Sequence, residues 1–395
     1  MTRVLLVTGL PGAGRTTVAA ATAVAAARAG RRTLLLAADG TRDVDTVLDV
    51  AVGADPFDVL PGLTVQRVAV RAEFEREFLL VQGQLGAALG VVGVEPLDPE
   101  EITVPPGAGD VLALRVLARA VDSRRYELIV VDLPAAERAV PALAVPEGLA
   151  RYVDRLLPVE RQAARALRPV LAAVAGVPMP DDWVYDTARR VAAELEVLRA
   201  LVAAPTTTVR LVVRPGTVAL AAARRAASAL ALYGHRIEDV IVNGVGAADS
   251  PDPAVRARAE VARETVDALC ALLPRVPLAQ IPVLPAEPLG TGELADVAAH
   301  FGPVGPGGAA DDDGHTIERD GERLLLLLPL PGTDRDDLDL LRRGDELVIT
   351  IGPHRRLIRL PSALRRCLIE GAGLRDGVLR VRFVPDPAVW MRSTP

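Results

Sequence analysis

The sequence predicts an α/β fold, a mainly parallel sheet with inserted helices, followed by a small all-β sandwich. Three observations predict it. Near the start, an apolar strand, a glycine-rich turn, an alanine-rich helical stretch and a second apolar strand follow in order, which is a βαβ unit and implies parallel pairing. Further along, apolar runs of strand length recur between long helical stretches. After a Gly/Pro/Asp segment at 301–316, "FGPVGPGGAADDDGHT", which reads as a flexible linker, the pattern changes to short strands separated by turn clusters.

The first element is the apolar run 3–9, which turns into a glycine loop without a small-residue cleavage site and so reads as a buried strand, not a leader. The loop that follows, Gly9 to Thr16, has the spacing G-x-x-x-x-G-[basic]-[Ser/Thr] of a phosphate-binding loop, with Arg15 where a lysine is expected. Residues 16–28, "TTVAAATAVAAAR", have helical spacing, and "AGRRTLLLAADG" supplies a second strand ending at Asp39. The loop therefore sits at a helix N-terminus, where backbone N–H groups and the helix dipole attract anions. A Gly-rich turn that binds nothing is the plain alternative.

A third buried strand, 126–134 ("YELIVVDLP"), ends in Asp132, a carboxylate at the strand's C-terminal edge, suited to magnesium beside phosphates. Two more strands, in "VRLVVRPGTVAL" and "DVIVNGVG", flank a helix, and "AQIPVLPAEPLG" holds a sixth. Helical insertions fall at about 72–125 and at 147–203, the latter broken at prolines; their Leu, Val and Ala content reads as core packing.

Composition narrows the function. With 395 residues and 50% hydrophobic content but no apolar run of membrane-helix length, the chain reads as cytoplasmic, without stable membrane insertion. A net charge of -6 with no basic block argues against nucleic acid. All 45 basic residues are arginines, so Arg15 belongs to a general bias, yet a forked guanidinium does not replace a compact ammonium neutrally. Cys270 and Cys367 are far apart and the four histidines do not cluster, which leaves no ligands for zinc or a soft metalloid.

In order and wording, residues 3–300 resemble the arsenite-pump and tail-anchored-protein targeting ATPases, P-loop NTPases of the deviant-Walker type. That family's loop reads G-K-G-G-V-G-K-T-T where this chain has "GLPGAGRTT"; its switches resemble Asp39–Asp43 and Asp132–Glu137. Its V-V-N-R-V resembles "IVNGV", whose Asn243 then reads adenine, and its base-covering loop resembles Val283–Gly290 with Pro285 and Glu287. The resemblance implies ATP or ADP and Mg2+ as cofactors. Nucleotide then rests on Gly9, Gly12, Ala13, Gly14, Arg15, Thr16, Thr17, Asn243, Pro285 and Glu287. Thr16 and Asp132 are the magnesium groups, and Asp39 and Arg15 the catalytic ones.

The departures fall in the catalytic parts. The family's signature lysine, which crosses a dimer interface, falls at Leu10, and the loop lysine at Arg15. Pro11 removes an N–H donor from the cradle, and Leu133, Ala136 and Glu137 make the second switch apolar and stiffer. Hydrolysis is therefore expected to be weak or absent, since stabilising the transferring phosphoryl is where such catalysis lies.

The stretch 317–386 resembles the α-crystallin domain of small heat-shock proteins, most specifically in the Ala-x-Leu-x-x-Gly-Val-Leu pattern from Ala372 to Leu379; residues 387–395 form a tail without Ile-x-Ile. Together these imply a homodimer, or a heterodimer with a paralogous ATPase. The expected function is a nucleotide-dependent conformational change coupled to a hydrophobic protein client. The alternative is a non-catalytic regulatory subunit of a lysine-bearing paralogue. Arsenite is disfavoured because the thiols it needs are missing.

Overall fold

The computed structural model describes residues 2–92, 96–156, 182–305, 315–321 and 323–387. The middle of the expected 147–203 insertion, most of the 301–316 segment and nearly all of the 387–395 tail lie outside the described residues.

The sheet has eight strands: β1 Arg3–Gly9, β2 Thr33–Ala37, β3 Phe57–Leu60, β4 Leu63–Arg67, β5 Leu128–Asp132, β6 Thr207–Val213, β7 Ile237–Val245 and β8 Leu278–Pro282. Their order is β3-β4-β2-β5-β1-β6-β7-β8, parallel throughout except for β3 against β4. The six expected strands are present. The β3–β4 hairpin is an addition, formed where Pro61-Gly62 separates two apolar runs and Gly62 takes a φ of 86°. Strands β1, β2 and β5 are buried along their whole length, as parallel strands covered on both faces must be.

Helix α1, Arg15–Arg28, packs on this sheet and buries six alanines with Val18, Val24, Thr16 and Thr22. Two further helices matter below: Thr217–Leu232, which follows β6, and Gly290–Ala298, which packs on α1. Two buried arginines hold the sheet strands to their neighbours. Arg210, fully buried on β6, pairs with Asp239 at 2.6 Å, donates to the Thr22 hydroxyl at 2.7 Å and stacks over Phe301. Arg3 pairs with Glu238 and with Thr208.

A separate helical unit, Val68–Arg124 with Pro141–Ala204, contains Val70–Val92, Ala108–Asp122 and Asp182–Ala203. Its apolar contacts include buried Leu112, Leu117, Leu195 and Leu198, and Arg115 bonds Glu194 at 2.7 Å. One expectation is corrected. The helix after β5 starts at Ala136, not 147, and runs to Leu156 through Pro141 and Pro146 without breaking there. Each proline costs a backbone hydrogen bond, and burial of Ala139, Val140 and Leu143 holds the helix together regardless. Among the described residues no helix is long and apolar enough to cross a membrane.

The C-terminal region forms two antiparallel sheets, one of four strands (Cys367–Arg375, Val378–Pro385, Arg323–Pro329, Thr316–Asp320) and one of three (Leu338–Arg343, Glu346–Ile351, His354–Arg359). The Ala372-to-Leu379 pattern is a hairpin turning at Asp376-Gly377, both at positive φ. This sandwich shares one compact unit with the parallel sheet. Leu232, the last residue of helix Thr217–Leu232, is buried in the sandwich core with Leu326, Leu347 and Phe383. Arg356 donates to the Leu232 carbonyl at 2.8 Å. A Cβ on Gly332 would stand 3.1 Å from both the Arg224 carbonyl oxygen and Leu272.

Gly9 has the closest neighbour among the described glycines, since a Cβ there would lie 2.0 Å from the Val212 carbonyl oxygen. Backbone cannot move aside as a flexible side chain can. Gly9→Ala is expected to lose at least about 3 kcal/mol in denaturant unfolding. Gly292→Ala, in a helix and facing open space, is expected to be neutral or to gain about 0.5–1 kcal/mol.

Candidate functional site

The parallel register sets the site. Val7 of β1 lies opposite Asp132 of β5, Ala37 of β2 opposite the same Asp132, and Gly9 opposite Val212 of β6. All these strands end at one edge, and the segments leaving them meet there. The loop from Gly9 to Thr16 follows β1, Asp39 lies two residues past β2, Asp132 closes β5 and Arg214 follows β6.

The loop is shaped by its glycines. Gly12 and Gly14 take φ values of 67° and 84°, and Gly14 caps α1 in the left-handed conformation that a side chain resists. The Ala13 N–H donates to the Leu10 carbonyl at 3.2 Å, closing the turn. The amide of Asn243, from the far end of β7, donates to the Ala13 carbonyl at 2.8 Å. A Cβ on Gly14 would meet that same amide at 2.4 Å. Asn243 is thus a brace of the loop, a contact beyond the adenine reading given to it from sequence.

Three groups stand behind the loop. Thr16 and Thr17 open α1, Thr16 being buried. Asp132 is 1% exposed, and neither of its carboxylate oxygens has a hydrogen-bond partner by distance and angle. Burial, with the nearby Asp39 charge, pushes its carboxyl up to about 7; the neighbouring Thr16 hydroxyl and Arg15 guanidinium offset part of this. A buried, unpartnered carboxylate beside a threonine hydroxyl is a donor set suited to a hard divalent cation. No group of three or more His, Cys, Asp or Glu able to hold a metal gathers among the described residues, so further ligands to such a cation would have to come from water or a bound anion. Asp39, also buried, accepts from the Thr41 N–H at 2.8 Å and from the Thr41 hydroxyl at 2.7 Å, which fixes its orientation.

The positions read as departures have definite places. Leu10 is 6% exposed and belongs to the main apolar core, so this position points no charge outward. Arg15 is half-buried and its guanidinium donates to the Leu133 carbonyl. Leu133 and Ala136 are buried and a helix starts at Ala136, so the second switch is tied down from Asp132 onward. Pro285 and Glu287 stand exposed in the loop after edge strand β8, which pairs with β7, the strand of Asn243. Sequence reading missed Arg214. Its signal was the dipeptide Arg-Pro directly after an apolar strand, at the edge where the other site residues emerge.

Comparison with known proteins gives the family. Residues 2–301 match the family described as anion-transporting ATPase, and residues 321–383 match the HSP20-like domain found in ArsA. An uncharacterized Streptomyces coelicolor protein is 44% identical over 99% of this chain and 100% of its own length. A Mycobacterium tuberculosis protein is 32% identical over 98% of this chain and 97% of its own. A protein of Aquifex aeolicus, provisionally named an arsenical pump-driving ATPase, is 22% identical over 95% of this chain and 99% of its own.

The Asp132 carboxyl gives a pH prediction for the protein in chelator-treated buffer. An unfolded aspartate titrates at about 3.9 and the folded one at about 7. Between those values the folded state holds the extra proton, so this group's contribution to stability falls as pH rises through the window and stays low above it. Asp132→Asn removes that cost. The variant should be more stable than the parent by roughly 2–4 kcal/mol at pH 8 and about equal to it at pH 4, read from unfolding curves.

Proposed function

The chain belongs to the anion-transporting ATPase family, and from that premise we propose that it binds ATP or ADP with magnesium at the Gly9–Thr17 loop and hydrolyses ATP slowly or not at all. One observation carries this reading: the buried Asp132 carboxylate, without a hydrogen-bond partner, beside Thr16 at the foot of a glycine loop that opens a helix. A carboxylate kept in that condition is costly unless a cation comes to it.

The division of labour follows from the groups present. The N–H groups of Gly12, Gly14, Thr16 and Thr17, at the positive end of α1, are the donors for phosphate oxygens, while that of Ala13 closes the turn on the Leu10 carbonyl. Thr16 and Asp132 are the residues that would hold magnesium, which when bound neutralises phosphate charge. Asp39, oriented by Thr41, is the carboxylate available to align water. Asn243 keeps the loop in shape from its adenine side, with Pro285 and Glu287 on the loop that would cover the base. Arg15 is the loop's own cation, but its bond to the Leu133 carbonyl competes with phosphate. Slow turnover follows, because a forked guanidinium committed elsewhere stabilises a moving phosphoryl poorly.

Nucleotide then sets conformation, and the helical unit, which exposes Leu80, Val81, Leu149 and Tyr152, is the part that would handle a hydrophobic protein client. A second reading is favoured by the burial of Leu10: with no charge to offer across a dimer interface, the chain is a regulatory subunit completed by a lysine-bearing paralogue. Arsenite is not its substrate in either reading, since a soft trivalent ion requires a thiol set that Cys270 and Cys367 do not form.

The test is a titration of the purified chain with fluorescent ATP and magnesium, with phosphate release followed in the same samples. Gly14→Val and Asp132→Ala serve as controls. Binding with little or no release, abolished in Gly14→Val and weakened at least about tenfold in Asp132→Ala, is expected. Fast turnover by the chain alone would sink both the slow-hydrolysis claim and the regulatory reading, and absence of binding would sink the whole proposal.

A further inference from the structure

We propose that Arg214 is a phosphate-binding residue of this site, a second cation supplied by the strand next to the loop. The inference rests on the nucleotide reading above and adds to it a residue outside every motif of the loop and switches.

Its position follows from the backbone. Strand β6 pairs with β1 as far as Gly9 opposite Val212, and the Leu10 N–H donates to the Val212 carbonyl at 3.1 Å. Residue 214 therefore comes alongside the first turn of the loop. Pro215 follows it, and a residue before proline is held extended, so the chain does not curl back at Arg214. Strand alternation puts residue 214 on the same side as Arg210, whose guanidinium reaches Thr22 of α1. That is the side on which the loop opens into its helix.

The side chain agrees with the backbone. Its Nη1 lies 3.8 Å from where a Cβ on Gly12 would stand, and apart from Gly12 and its chain neighbours no other heavy atom of the described residues comes within 4 Å of that point. Arg214 is exposed, and it forms no hydrogen bond or ion pair with any described residue. Of the neighbouring guanidiniums, Arg210 is committed to Asp239 and Arg15 to the Leu133 carbonyl. A free guanidinium over the open face of a phosphate loop presents a planar fork matched to two phosphoryl oxygens. It also offsets two deficits of this loop, the apolar Leu10 and the missing N–H of Pro11.

The experiment measures magnesium-ATP affinity of the full chain by calorimetry for the parent, Arg214→Gln, Arg214→Lys and Arg15→Gln, at low and at moderate salt. Thermal melts without nucleotide verify that each variant is folded. Arg214→Gln should weaken ATP roughly tenfold to a hundredfold, as expected for loss of charged hydrogen bonds, with an unchanged melt. Arg214→Lys should recover part of the loss, and the gap between parent and Arg214→Gln should narrow as salt rises. If the parent binds ATP and Arg214→Gln binds it equally well, the inference is overturned while the nucleotide reading stands. A loss accompanied by a lowered melt, or one that Arg214→Lys does not relieve at all, would make Arg214 a structural residue and overturn it too. If the parent binds no ATP, the nucleotide reading fails and takes this inference with it.

Discussion

Strand Arg3–Gly9 lies between Leu128–Asp132 and Thr207–Val213, parallel to both, and the rest of the molecule is arranged by that pairing. Because the strands run the same way, their C-terminal ends share one edge, and every group that follows a strand is delivered there. Thus the glycine loop, Asp39, Asp132 and Arg214 converge although they come from four separate stretches of sequence. The closeness of β1 to β6 at Gly9 is what admits this geometry, since no side chain fits between Gly9 and the Val212 carbonyl.

Buried charges on the sheet stand in two opposite electrostatic situations. Buried Arg3 and Arg210 are each matched to an acid on β7, Glu238 and Asp239, with threonine hydroxyls taking further N–H bonds. Asp132, level with Arg210 through Val7 of β1, is buried without such a match. A buried charge with its partner in place mainly fixes register, whereas one without a partner raises the energy of the empty fold and gives a cation something to bind.

The α-crystallin-like sandwich belongs to this arrangement through helix Thr217–Leu232, with Leu272 of the helix Pro253–Leu272 close to Gly332 beside it. Thr217–Leu232 begins three residues after Arg214 and ends with Leu232 inside the sandwich core, held by the Arg356 bond to its carbonyl. The Ser228 and Thr333 hydroxyls bond along the same contact, and the Tyr233 hydroxyl donates to the Arg355 carbonyl at 3.3 Å. One rigid element therefore has its start beside the phosphate loop and its end in the second sheet pair.

The sequence alone determined the parallel class of the sheet, its six main strands, the place of the glycine loop and the carboxylates Asp39 and Asp132, because these are local facts: apolar runs of strand length, turn residues and what ends each strand. The β3–β4 hairpin was legible at Pro61-Gly62 but needed the strand partner to fix it. The helix through Pro141 and Pro146 was not legible, since tertiary burial overrode the local signal of proline. Only the folded chain decided that Leu10 faces the core, that Arg15 turns to a carbonyl, that Asn243 braces Ala13 and that Arg214 stands over Gly12. Each of these joins residues brought together by strand order. A linear pattern records which side chains exist and where strands end, whereas the direction a long side chain takes depends on which strand lies next to it, and that is fixed by packing.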